Sequence, residues 1–208
     1  REFFDLVQES RDLERRLLDT SPSDDAAPRL RSELERISQG RDEIQATVEE
    51  TIESKISKVL SQEGFSSRIG LIFPPVDTVF ARSPGVLILS PRDRIDRQDS
   101  ILMKPGLSAE TRGMIEDQIL EDRNMAALVE STGGVAAFPS VVTETAGLRH
   151  AVVTAAHEWL HHWFFFQPLG QHFWDSSDMT TLNETAATLG GQAIGDRVFT
   201  AITGEQVS

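Results

Sequence analysis

Apolar side chains return at three- and four-residue steps through the first part of the chain. Phe3, Leu6, Val7, Leu13, Leu17 and Leu18 follow one such track, with Glu and Arg between them. After the breaker-rich stretch TSPSDDAAP (20–28), a longer track runs through Leu30, Leu34, Ile37, Ile44, Val48, Ile52, Ile56, Val59 and Leu60. A helical period with charged positions between the apolar ones predicts two amphipathic helices, and the Pro/Asp stretch predicts the turn that joins them. Residues 1–63 therefore read as an antiparallel helical hairpin with a coiled-coil-like seam, with Gly40 as a point of interruption. Such an arm packs against its own chain or forms a homodimer; a regulatory or substrate-capturing arm is the alternative.

The pattern changes at Gly64. RIGLIF (68–73), VDTVFAR (76–82) and GVLILS (85–90) are short β-rich runs separated by Pro pairs or Pro-Gly, which predicts strands. SAETRGMIEDQILED (108–122) predicts a helix opened by Ser108, as an imperfect capping box. MAALVESTGGVAAFPSVVTE (125–144) is ambiguous between helix and strand, although Gly133-Gly134 followed by Val135–Phe138 favours a strand. TAGLRHAVVTAAHEWLHHWFFF (145–166) predicts a long helix stopped by Pro168 and Gly170, and SSDMTTLNETAATLGGQAIGDRVF (176–199) a second one started by Ser and Asp. There is no internal repeat.

Composition narrows the function classes. A length of 208 residues suits one domain, or one with a helical appendage, and 39% hydrophobic with 25% charged residues is ordinary for a soluble globular chain. The net charge of −13 argues against nucleic acid and anionic membrane surfaces, which need basic patches. No run of 18 apolar residues is present, so no span is expected, and no signal peptide is visible. The start at Arg1 reads as a fragment or processed form, whose parent chain could carry an anchor. With no cysteine, disulfides and thiolate metal sites are excluded, and any metal must be held by His and carboxylate. The same lack leans the location, otherwise open, towards a bacterial cell envelope or another extracytoplasmic setting.

Three of the five histidines and Glu158 lie in the otherwise uncharged run TAAHEWLHHWFFF (154–166). His157 and His161, four residues apart, point ~40° apart on one helical face, one turn above the other. Two imidazoles so placed can grip a tetrahedral zinc at ~2.0–2.1 Å. Glu158 is rotated by ~100° from His157, which suits it to take a proton from metal-bound water rather than to ligate. His162, ~140° from His157, faces away and is expected to be packed or solvent-exposed. Burying such groups without a partner is costly, which disfavours two plain core histidines.

HEWLH, with Thr154 three residues before it and Trp163 after it, resembles the active-site helix of the zincin metallopeptidases. Phe164 and Gln167 stand where the metzincin pattern needs Gly and His, which excludes that clan. TLNETAA (181–187) looks like the Asn-Glu-x-x-Ala segment of gluzincins, so the chain is similar to thermolysin-like and aminopeptidase-N-like enzymes over roughly 68–200. The resemblance implies an α+β domain at 64–208, with a small mixed sheet, an active-site helix and a third-ligand helix. It implies Zn²⁺ held by His157, His161 and Glu184, Glu158 as general base, and hydrolysis of a peptide or protein substrate. His172, Asp175 and Asp178 compete with Glu184 for the third position. Leu182, Ala186, Leu189 and Ala193 are expected to form the apolar face of the third-ligand helix, with Glu184 at its edge.

The resemblance also implies a substrate bound as an added strand, for which GGVAAFPS (133–140) is the candidate edge; an ordinary core strand is the alternative. Two departures bear on catalysis. Thr188 stands where many thermolysin-like enzymes have an Asp that orients the first histidine. The chain has no tyrosine to stabilise an oxyanion, leaving His172, His150, Arg149, Arg197 or a group outside this chain as candidates. Glu144 is a candidate for gripping a substrate amine. The alternatives to a peptidase are a zincin-shaped binding or scaffold module without turnover, and a helical interaction protein whose HExxH is coincidental.

Overall fold

The computed structural model describes residues 1–21, 24–144 and 147–207. Two helices, α1 (Glu2–Leu18) and α2 (Ala26–Gln62), form the antiparallel hairpin. There follow strands β1 (Thr78–Ala81), β2 (Gly85–Pro91) and β3 (Asp99–Met103), helix α3 (Ala109–Arg123), and strands β4 (Met125–Ser131), β5 (Gly134–Val135) and β6 (Ser140–Thr143). The chain then runs through α4 (Gly147–Phe165), the single turn α5 (Pro168–Gln171) and α6 (Ser177–Thr203). This helix and strand content belongs to the α+β class.

The hairpin shares the main core rather than standing apart from it. Phe3, Phe4 and Val7 of α1 and Ile52, Ile56, Val59 and Leu60 of α2 pack in one apolar cluster with Trp159, Leu160 and Val198. Only the outer part of the hairpin keeps a seam of its own, around Leu13, Leu30 and Ile37. Gly40 does not interrupt α2, which is continuous through it; a single glycine costs only ~1 kcal/mol in a helix long enough to absorb it. In the predicted turn, Pro22 and Ser23 lie outside the described residues, as do Thr145 and Ala146 at the predicted start of α4 and Ser208 at the end of the predicted domain.

The strands form two small sheets. One has the order β1-β6-β5, with β1 parallel and β5 antiparallel to β6; the other is antiparallel, with the order β3-β2-β4. In the second sheet one face, with Leu87, Leu89 and Val129, packs against Ile115 and Ile119 of α3. The outer edge of β1 is closed by α2: Glu53 accepts from the Thr78 amide and Glu49 from the Phe80 amide, both at 2.7 Å, while Gln45 donates to the Phe80 carbonyl. These side chains recur every four residues, so one face of α2 covers the strand edge and removes a pairing hazard. β5 has a partner on one side only and is the other edge of that sheet.

Several local expectations need correcting. RIGLIF forms no strand. The Ser67 amide donates to the Leu71 carbonyl, and Gly70 turns at φ +78° to donate to the Ser67 carbonyl. That local turn satisfies backbone groups a ladder would have used, and leaves Ile69 and Leu71 exposed. β3, with Asp and Ser at its start, was not expected; its pairing with β2 decides it. The ambiguous stretch 125–144 resolves into three strands. Helix starts follow the caps read from sequence: Ser108 accepts from the Thr111 amide and Ser176 from the Met179 amide.

Candidate metal centre

The site depends on how closely α6 approaches α4. Ala187, Gly191 and Gly195 recur every four residues along α6 and face α4. A Cβ at Gly191 would come within 2.9 Å of His157 Cα, and one at Gly195 within 2.5 Å of Val153 Cα. The two backbones are in van der Waals contact, which only residues without a side chain permit. The expected face is thereby overturned: Leu182, Leu189 and Ala193 are exposed and Ala186 is half-buried, while Asn183, Ala187, Gly191, Ile194, Gly195 and Val198 are buried. Small residues, not large apolar ones, mark the contact.

One turn before Ala187, α6 brings Asn183 and Glu184 against the histidines. His157 Nε2 and His161 Nε2 are 3.0 Å apart, and Glu184 Oε2 lies 3.6 Å from the first and 3.4 Å from the second. A tetrahedral ion held at ~2.0–2.1 Å by each donor would space its donors by ~3.3–3.4 Å. The three atoms therefore converge as a three-point cradle of the right size, made of two nitrogens and one carboxylate oxygen. Two imidazole nitrogens and a carboxylate oxygen are a donor set that zinc accepts, and the three residues line an open cleft.

Asn183 completes the arrangement, and the sequence reading gave it no role. Its Nδ2 donates to the Leu169 carbonyl at 3.2 Å, which fixes the amide orientation, so Oδ1 must accept from His161 Nδ1 at 2.9 Å. With its proton on Nδ1, His161 presents the Nε2 lone pair to the cradle. Asn183 is only 1% exposed, so this bond is shielded from water. Its one sequence signal was a polar residue on the small-residue stripe, four before Ala187. Thr188, which stands where many thermolysin-like enzymes have an orienting Asp, is exposed and lines the cleft.

Glu158 is buried, and its side chain lies under the β5 backbone: a Cβ at Gly134 would stand 2.5 Å from Glu158 Oε1 and 2.8 Å from Thr154 Cγ2. It groups with His157 and His161, with ligand-type atoms of all three within 4.8 Å of one another. Burial raises the Glu158 pKa; the histidines oppose this and Glu184 reinforces it. Glu184 moves the other way, down to about 2, because the two imidazoles hydrogen-bond to its carboxylate. For His161, burial works to lower the pKa, but the hydrogen bond and charge of Glu184 more than reverse it, and the net shift is upward. The two carboxylates are thus set apart, one favoring its proton and one giving it up, as acid–base sites require.

These groups open into a cleft of about 780 Å³. It is lined by residues of α4 and α6, by residues 132–136, and by Val86, Ser100 and Leu102 of the second sheet. Of the candidates for oxyanion partner, none lines the cleft. Arg149 is bound to Asp196 and Arg197 to Glu63, at 2.9 and 2.8 Å. His172, exposed, pairs with Asp175 at 2.7 Å, and Asp178 lies in the first turn of α6, outside the cradle. His150 is exposed near Gly133. Glu144 is buried, faces Arg41 of α2 at 3.7 Å and does not line the cleft. His162 is half-buried against the Phe138 ring and the backbone of Ala136 and Ala137, and burial lowers its pKa.

Within 133–140 only Gly134 and Val135 are strand before β6 begins at Ser140. Compared with family models, with curated proteins and with solved structures, the chain matches none.

Proposed function

We propose that the protein is a zinc-dependent metallopeptidase of the gluzincin kind, a zincin-like hydrolase of peptide bonds. The convergence of His157 Nε2, His161 Nε2 and Glu184 Oε2 to 3.0–3.6 Å of one another, from two separate helices, carries the reading. His157, His161 and Glu184 would hold the ion, and Asn183 keeps His161 in the ligating tautomer. Zinc bound there supplies Lewis-acid polarisation of a carbonyl and an acidified water. Glu158 accepts the proton of the attacking water and returns it to the leaving amine, a task for which burial has already raised its proton affinity. The open edge of β5, the strand that lies over the general base, offers backbone groups to an extended peptide. A metal-holding module without turnover is the second reading, favoured by Arg149 and Arg197 being tied up in ion pairs outside the cleft.

Elemental mass spectrometry on untagged protein is the test, with cleavage of a peptide library beside it. About one zinc per chain is expected in the wild type, sharply less in Glu184→Ala, and an undiminished content with no cleavage in Glu158→Gln. Zinc held equally by the wild type and Glu184→Ala would overturn the ligand set. Zinc bound without cleavage by the wild type would leave the module reading.

A further inference from the structure

The lining of the cleft includes a cation that the peptidase reading has not used. Arg97 lies in the loop between β2 and β3, and among the described residues lining the cleft it is the one Lys or Arg. Its position is anchored by the next residue, whose amide donates to the Leu89 carbonyl at 2.9 Å beside the Leu89–Asp99 pair of the ladder. The other charges of that loop have partners: Arg94 binds Asp93 and Asp96, and Arg92 donates to Asn124 at 2.8 Å. Arg97 has no hydrogen-bond or ion-pair partner among the described residues. Arg97 is exposed, so its guanidinium is open to a ligand that enters the cleft.

We propose that Arg97 binds a carboxylate of the peptide substrate, and so selects substrates that present one a short distance from the scissile bond. This rests on the peptidase reading above. A guanidinium matches a carboxylate with two parallel hydrogen bonds, which gives both energy and orientation. The position speaks against a role at the scissile carbonyl itself. A donor to an oxyanion must reach to ~2.7–3.1 Å of it. Glu158 and Glu184 flank that place, and Arg97 pairs with neither. We place it at a neighbouring subsite of the same cleft. The same cleft is lined by apolar side chains: Val86 and Leu102, the latter 65% exposed, from the second sheet, Phe165 from α4, and Phe173 and Trp174 from the loop before α6. An apolar substrate residue flanked by a carboxylate is what these surfaces complement. The carboxylate could be the peptide's own C-terminus or an Asp or Glu side chain.

Calorimetry with zinc-loaded Glu158→Gln protein, which binds without turnover, separates these. Three matched pools of octapeptides serve as probes: free-acid peptides containing Asp and Glu, the same pool amidated at the C-terminus, and the same pool with Asn and Gln in place of Asp and Glu. One of the two carboxylate-depleted pools is expected to bind about tenfold or more weakly, identifying the source. Adding Arg97→Ala should erase that difference and Arg97→Lys should restore part of it. In the active protein, Arg97→Ala should raise KM for the preferred pool with kcat little changed. Equal binding of all three pools, or an Arg97→Ala loss equal for all of them, overturns the proposal. So does a fall in kcat at constant KM, which would put Arg97 at the scissile carbonyl. If the wild type cleaves no pool while the carboxylate preference persists and depends on Arg97, the peptidase reading fails and the carboxylate site stands.

Discussion

Asn183 touches no substrate in the proposed reaction, yet it decides which nitrogen of His161 is free. Asn183→Ala leaves all three candidate ligands in place and removes the acceptor that holds the Nδ1 proton. Zinc affinity is expected to fall ~10–100-fold, as for lost partners of metal-bound histidines elsewhere. A competition titration with a chromophoric chelator reads this directly; an unchanged affinity would show that the bond to Asn183 is dispensable. The same residue scale sets the pH dependence. The His161 pKa in the metal-free protein is raised above 6.5. Its ionic contribution to stability is therefore present below pH 6.5 and fades as pH rises through the raised value. Metal binding has the opposite sign, because the ligand must be neutral. Zinc affinity is expected to be full well above pH 6.5 and to weaken as pH falls through the raised value, while Glu184, down at about 2, stays ionised throughout. A zinc affinity flat between pH 8 and 6 would contradict the assignment of His161 as ligand.

Between elements, the decisive contact is backbone against backbone where α6 crosses α4. Gly191→Ala puts a methyl where His157 Cα stands 2.9 Å away, so one helix must shift. The expected cost is ~1–3 kcal/mol of stability, from overpacking. A weaker zinc site should accompany it, because the shift carries Glu184 away from the histidines. Gly40→Ala is the contrast: nothing lies within 4 Å of a Cβ there, and the residue sits inside a continuous helix. That change should stabilise by ~0.5–1 kcal/mol and leave the metal site alone. Thermal unfolding of the two variants, with and without zinc, separates a crossing effect from a helix-propensity effect. The small stripe at 187, 191 and 195 was present in the sequence but masked by the larger Leu182 and Leu189. Size suggested burial, whereas the close crossing rewarded the absence of side chains.

For the molecule as a whole, the hairpin and the site-bearing part share one core. Residues 64–208 alone would expose the partners of Phe3, Phe4, Val7, Ile52, Ile56 and Leu60, including the fully buried Trp159 next to Glu158. Without residues 1–63 the remainder is expected to lose cooperative thermal unfolding and to bind a hydrophobic dye; a sharp transition near that of the full chain would refute this. The amino-acid sequence alone determined the facing pair of histidines with the glutamate beside the first, because helical periodicity fixes the relative direction of residues four apart. It also determined the helical hairpin, the two caps and the restriction to nitrogen and oxygen ligands. Only the tertiary structure decided which carboxylate meets the histidines and what orients His161. The same holds for which strand edge stays open and which cation lines the cleft. Each of those depends on a helix crossing or a sheet pairing between separate elements of the chain. Such contacts are set by the packing of the whole core, which no local period encodes.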